Sequence, residues 1–215
     1  CMKYLTTNRF VQVDGEIWEV NTGNKQQYEI CPKHMKQIIR QLTVMCSHHQ
    51  RVMVVFFDLK VSSYTDDNKL MSDFIREVRK ITQSDRYKMT RFGYCWAREM
   101  EKAKQQHYHV ALFLDGKRIR YPHKILDLLS NAWLKIGGAH LYTPKNCYYD
   151  IKGNDFQAKQ QAIYRLSYQA KARGKGYRAK QAKDYGTSRL RIKYGKREPE
   201  SVKTQFSEVT LPSIT

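Results

Sequence analysis

The sequence contains no Cys-x-x-Cys pair. Its five cysteines (Cys1, Cys31, Cys46, Cys95 and Cys147) lie far apart along 215 residues. That spacing argues against a zinc knuckle or a disulfide framework and fits a reducing cytoplasm. No apolar run is long enough to span a bilayer, and no secretory leader is expected. A Gly-x-x-x-x-Gly-Lys-Ser/Thr loop of the kind that binds nucleotide phosphates in a helicase motor is also missing. No internal repeat is visible. Acidic residues are scarce: 20 Asp plus Glu face 39 Lys plus Arg, a formal net charge of +19. Such a surplus points to a polyanionic partner, nucleic acid first and an acidic membrane surface second.

What is present reads as one sizeable domain with its own core. Residues 1–50 are expected to form a polar segment with a turn at Asp14-Gly15, then a helix opened by Pro32 and running to about His49. Met35, Ile38, Ile39, Leu42 and Met45 recur on it at helical spacing. The run Val52-Met53-Val54-Val55-Phe56-Phe57 predicts a central strand within 51–61. Asn68 is placed to cap a helix through Thr82, with Leu70, Phe74, Ile75, Val78 and Ile81 facing inward. Strands follow over 91–101 and 106–114, then a helix opened by Pro122 and stopped by Gly137-Gly138. One or two short strands fit within 140–151, and a helix fits 156 to about 172. Residues 51–190 are expected to form the main domain and 191–215 a polar tail. The order predicts an α+β fold, a mostly antiparallel sheet with helices packed on its faces.

The chemistry starts at Gln106-His107-Tyr108-His109-Val110. Side chains alternate along a strand, so His107 and His109 share one face while Tyr108, Val110 and Leu112 share the other. Two imidazoles side by side are the start of a metal site; the alternative is a pair of hydrogen-bonded surface histidines. If the preceding strand pairs around Ala103, Glu99 lies opposite His107 and joins that face. A slide of two residues puts Glu101 there instead, and a slip of one removes both. Two histidines and a carboxylate could hold a divalent ion. Imidazole suits Mn²⁺ better, and cellular abundance favours Mg²⁺.

A second pattern is Tyr164-Arg165-Leu166-Ser167-Tyr168-Gln169-Ala170-Lys171. On a continuous helix Tyr164, Tyr168 and Lys171 would form one stripe. A phenol with an ordinary pKa of about 10 is a poor nucleophile at neutral pH, and a neighbouring ammonium favours its phenolate. The alternative is an amphipathic helix whose tyrosines pack on the sheet.

Together and in this order, the two patterns resemble the HUH endonucleases, in particular initiators of rolling-circle replication. Val52–Val61 resembles the first motif strand of that family. Trp96–Glu101 leading into His107-Tyr108-His109 resembles its metal motif, and Tyr168-Gln169-Ala170-Lys171 its tyrosine motif. Tyr164–Tyr177 with Asp184–Leu190 is similar to the inovirus-type group, which includes the YagK/YfjJ C-terminal type of prophages and phage satellites. The resemblance implies a metal-dependent enzyme that nicks and rejoins single-stranded DNA, presented in a hairpin origin, through a 5′-phosphotyrosine. The free 3′ hydroxyl would then prime a host polymerase on a phage, prophage, satellite or plasmid replicon, with unwinding supplied by a host helicase or by a region outside this sequence. It implies Tyr168 as nucleophile, Tyr164 as a second tyrosine, Lys171 beside them, and His107, His109 and Glu99 or Glu101 on Mg²⁺ or Mn²⁺. Arg165, Arg173, Lys175, Arg178 and Lys180 are expected to track the DNA, with Tyr177 stacking on a base and Gly174 and Gly176 leaving the segment mobile. Two other readings stay open: a relaxase or transposase of the same superfamily, and a basic DNA-binding protein without catalysis.

Overall fold

The computed structural model describes residues 4–100, 105–176 and 179–193. Its first element is a hairpin, β1 (Phe10–Val13) and β2 (Glu16–Glu19). Asp14 (φ 50°) and Gly15 (φ 87°) both take left-handed backbone, the geometry of a two-residue hairpin turn. The sequence signals the turn, but its four-residue arms are too short to show alternation. Pro32 then opens α1 (Pro32–His48), whose expected stripe of Met35, Ile38, Ile39, Leu42 and Met45 is buried.

The main sheet has six strands, all paired antiparallel. Its centre is β3 (Arg51–Val61), flanked on one side by β5 (His107–Asp115) and then β4 (Gly93–Glu99) and β8 (Tyr185–Thr187). On its other side β3 takes two short strands end to end, β6 (Gly138–Tyr142) and β7 (Tyr148–Lys152). The remaining helices are α2 (Lys69–Gln83), α3 (His123–Lys135) and α4 (Phe156–Leu166). This is the expected α+β architecture, with one two-stranded sheet added.

β3 reads as a continuous apolar run because both of its faces are covered. Met53, Val55, Phe57 and Leu59 meet α2 and α3 in a first core with Tyr108, Leu112, Phe74 and Trp133. Val52, Val54 and Phe56 meet α1, α4 and the hairpin in a second core with Phe113, Ile163 and Trp18. Residues 4–50 thus supply much of the second core.

One expected cap and one expected boundary differ. Asn68 precedes α2, but its side chain makes no capping hydrogen bond. Its amide accepts from Lys183 N (2.5 Å) and donates to Lys183 O (3.2 Å), tying the segment before β8 to α2. The helix expected to about residue 172 stops at Leu166 and tightens into a 3₁₀ turn, Ser167–Ala170. The Ser167 hydroxyl donates to Tyr164 O (2.6 Å) there, a side-chain bond that competes with the helix ladder.

Candidate metal centre and tyrosine

His107 and His109 lie on the second-core face of β5, the face that carries Ala111 and Phe113. That face is apolar under α1 and turns polar only where helix cover ends. The hairpin register pairs Glu99 with His107 and Ala97 with His109, so Glu99 completes the group. Glu101, the alternative third ligand, lies outside the described residues, as do Tyr177 and Arg178.

Ligand atoms of Glu99, His107 and His109 all lie within 4.8 Å of one another. His107 Nε2 is 3.2 Å from His109 Nε2, and His109 Nε2 is 3.2 Å from Glu99 Oε2. Each imidazole is fixed through its other nitrogen. His107 Nδ1 faces Gln105 O (3.2 Å), and His109 Nδ1 faces Asp58 Oδ1 (2.6 Å). Both partners accept, so Nδ1 carries the hydrogen in each ring and Nε2 turns inward. This is the support that metal-bound histidines ordinarily have. The donor set therefore fits a divalent cation, and this group could hold one.

The electrostatics agree. Burial works against a charge on His109, yet the carboxylates of Asp58 and Glu99 outweigh it and hold the imidazole up at about 9. Burial alone would raise Glu99, but His109 and Lys175 bring it down to about 2. Burial lowers His107 and so favours its neutral form. A proton and a cation thus compete for one place between His109 and Glu99.

Sequence reasoning missed Asp58. Its signal was a lone carboxylate inside an eleven-residue buried strand, where a charge needs a partner. Lys175, expected on the DNA track, pairs with Glu99. The Lys175 side chain is 1% exposed and its ammonium lies 2.6 Å from Glu99 Oε1, leaving Oε2 to the histidines. The loop carrying it is not loose at this point. Gly174 (φ 75°) passes over Glu99 close to its side chain, and Gly174 O accepts from Met100 N (2.9 Å).

Tyr168 meets the metal group. On the 3₁₀ turn, 45% exposed, its ring lies 5.1 Å from that of His109, edge to face. Lys171 Nζ lies 4.5 Å from the centre of the Tyr168 ring and 3.8 Å from that of Tyr28. Lys171 arrives there by extended backbone (φ −60°, ψ 142°) that bridges to Ile30, not along a helical stripe. Tyr164 stays on the last turn of α4, 39% exposed, and no ring contact among the described residues ties it to the histidines. The Arg165 guanidinium lies over Phe56 (4.5 Å) and bonds Asn146 O and Lys145 O, bracing the β6–β7 loop. Arg173 and Lys180 are exposed near the tyrosine turn's exit.

No helix among the described residues is long and apolar enough to cross a membrane. Cys46, Cys95 and Cys147 are free thiols. No curated protein and no solved structure matches the chain. A protein family does: residues 16–188 match the YagK/YfjJ C-terminal domain, a span that takes in every strand of the main sheet, the metal group and the tyrosine turn. The chain belongs to the YagK/YfjJ C-terminal domain family.

Proposed function

We propose that this protein is an HUH-type DNA strand transferase of the inovirus-like group. It would nick and rejoin single-stranded DNA and so initiate rolling-circle replication. The observation that carries the reading is the meeting of an exposed tyrosine, Tyr168, with the Glu99–His107–His109 group at 5.1 Å between rings. Bound there, Mg²⁺ or Mn²⁺ would polarise the scissile phosphate as a Lewis acid.

The chain's own residues do the rest. Asp58 and the Gln105 carbonyl hold both imidazoles in the tautomer that turns Nε2 inward. Lys175 fixes which Glu99 oxygen faces them. The Lys171 ammonium beside the Tyr168 ring favours its phenolate. The Tyr168 oxygen attacks phosphorus and forms a new O–P bond. The bond from phosphorus to the 3′ oxygen breaks, and that oxygen leaves as a hydroxyl after taking a proton. The 5′ phosphate stays on Tyr168, so attack by a 3′ hydroxyl reverses the step without ATP. Tyr164, one turn back, is the candidate for a second cleavage.

The test is a denaturing gel of the protein with 5′- or 3′-labelled single-stranded oligonucleotides from its replicon, in Mn²⁺ or Mg²⁺. The expected result is a metal-dependent adduct carrying the 3′-side fragment, absent in Tyr168→Phe. An adduct that survives in Tyr168→Phe moves the nucleophile elsewhere. Binding with no adduct in either metal leaves a non-catalytic DNA-binding protein.

A further inference from the structure

An open groove of about 1370 Å³ runs along the β8 edge of the sheet, between α1 and α2. Its walls carry six cations, Arg40, Lys69, Arg79, Arg91, Lys183 and Arg189, and no aspartate or glutamate. The chain as a whole has about half as many acids as bases, so their exclusion from these walls is local. Two of the six are engaged: Arg40 pairs with Asp14 (2.7 Å) and Lys69 approaches Asp73 (3.9 Å). Arg79, Arg91, Lys183 and Arg189 have no ion pair among the described residues, and three of them, Arg79, Lys183 and Arg189, are exposed.

We propose that this groove is a second nucleic-acid site, separate from the metal centre, that holds a sugar–phosphate backbone. Four cations held within one groove repel one another, and phosphates spaced along a strand relieve that repulsion while releasing counterions. The wall also offers an aromatic face. Tyr94, half-buried, lines it together with Arg79 and Arg189; burial raises its phenol, and the charges of these two arginines oppose that rise. Arg79 itself lies over the Phe92 ring (5.6 Å).

The groove backs onto the metal centre through Tyr185 and Lys175. Tyr185 lines it, and the Tyr185 ring lies 5.5 Å from Lys175 Nζ, which pairs with Glu99 on the far side. A strand in the groove is therefore close to the centre while using none of its residues. This site shares with the cleavage reading a nucleic-acid partner and none of its chemistry, so the two can fail separately.

The test measures binding of the full chain in EDTA to two labelled probes, a single strand and a hairpin duplex, across a salt series. The variant is Arg79→Gln/Lys183→Gln/Arg189→Gln. Each lost phosphate contact lowers the slope of log K against log salt by about 0.7 on single strands and about 0.9 on duplex. The expected result is a slope shallower by about 2 to 3 on at least one probe, which also tells which form the groove holds. An unchanged slope on both probes, with an unchanged unfolding midpoint, overturns the proposal. If the triple variant does not fold, Lys183→Gln and Arg189→Gln are read singly, each expected to remove about 0.7 to 0.9. A reduced slope in a protein that never forms a tyrosine adduct sinks only the cleavage reading. A normal adduct with an unchanged slope sinks only the groove.

Discussion

Asp58 decides which nitrogen of His109 faces Glu99. It makes no contact with the space an ion would fill, yet it fixes the ring's tautomer from 2.6 Å away. Partners of this kind typically govern metal affinity by 10- to 100-fold. Asp58→Ala is therefore expected to weaken Mn²⁺ binding by about 10- to 100-fold, read by calorimetric titration, with little change in circular dichroism. An unchanged affinity would mean that Gln105 and the strand backbone suffice. Lys175 acts on the other side of the same group. Because its ammonium is shielded from water, removing it leaves Glu99 buried with one cation fewer. Lys175→Met is expected to cost about 3 kcal/mol in urea unfolding. A loss below 1 kcal/mol would show that His109 alone compensates the carboxylate.

At the scale of elements, the turn Ser167–Ala170 matters more than the helix before it. A continued helix would keep Tyr164, Tyr168 and Lys171 in one stripe. The 3₁₀ turn instead swings Tyr168 over His109 and sends Lys171 back through extended backbone to the same ring. The opposite sheet edge depends on close approach. A Cβ on Gly138 would overlap the Trp133 ring, which is fully buried and donates through Nε1 to Lys60 O (2.8 Å). Gly138→Ala is expected to destabilise the fold by about 1 to 3 kcal/mol, measured by urea denaturation. Gly137→Ala probes the same corner differently: it meets no neighbour there, and its cost comes only from a left-handed φ of 97°.

For the whole molecule, acid is expected to act through His34. This residue is 2% exposed beneath the Tyr185 ring (3.9 Å), and its Nε2 has no hydrogen-bond partner among the described residues. Burial first, and the Lys175 charge second, push its pKa down to about 3. The folded state holds it neutral, whereas the unfolded chain protonates it near 6.5. Its effect is therefore absent above about pH 6.5. Stability is lost as pH falls from there toward 3, by on the order of 5 kcal/mol in all. His34→Phe keeps a ring against Tyr185 and removes the titration. The difference in unfolding free energy between the two proteins is expected to be flat above pH 7 and to move in favour of the variant below pH 6. A constant difference down to pH 4.5 would mean that His34 reaches water in the folded state.

Much of this was legible in the chain. Pro32, the apolar run at Val52–Phe57 and the Gly137-Gly138 stop are local signals, and local backbone chemistry placed α1, β3 and the end of α3. Alternation alone put His107 and His109 on one face, because the period of a strand is fixed by its pleat. What alternation could not choose was Glu99 over Glu101, since that rests on a register set across two strands. Asp58 and Lys175 were equally out of reach. They stand 51 positions before His109 and 76 after Glu99, and only the folded sheet and the loop over it make them neighbours. The basic composition was plain in the sequence. Which cations are buried, as Lys175 is, and which gather in a groove without acids was decided by packing, because charge is a property of a residue and exposure is a property of the fold.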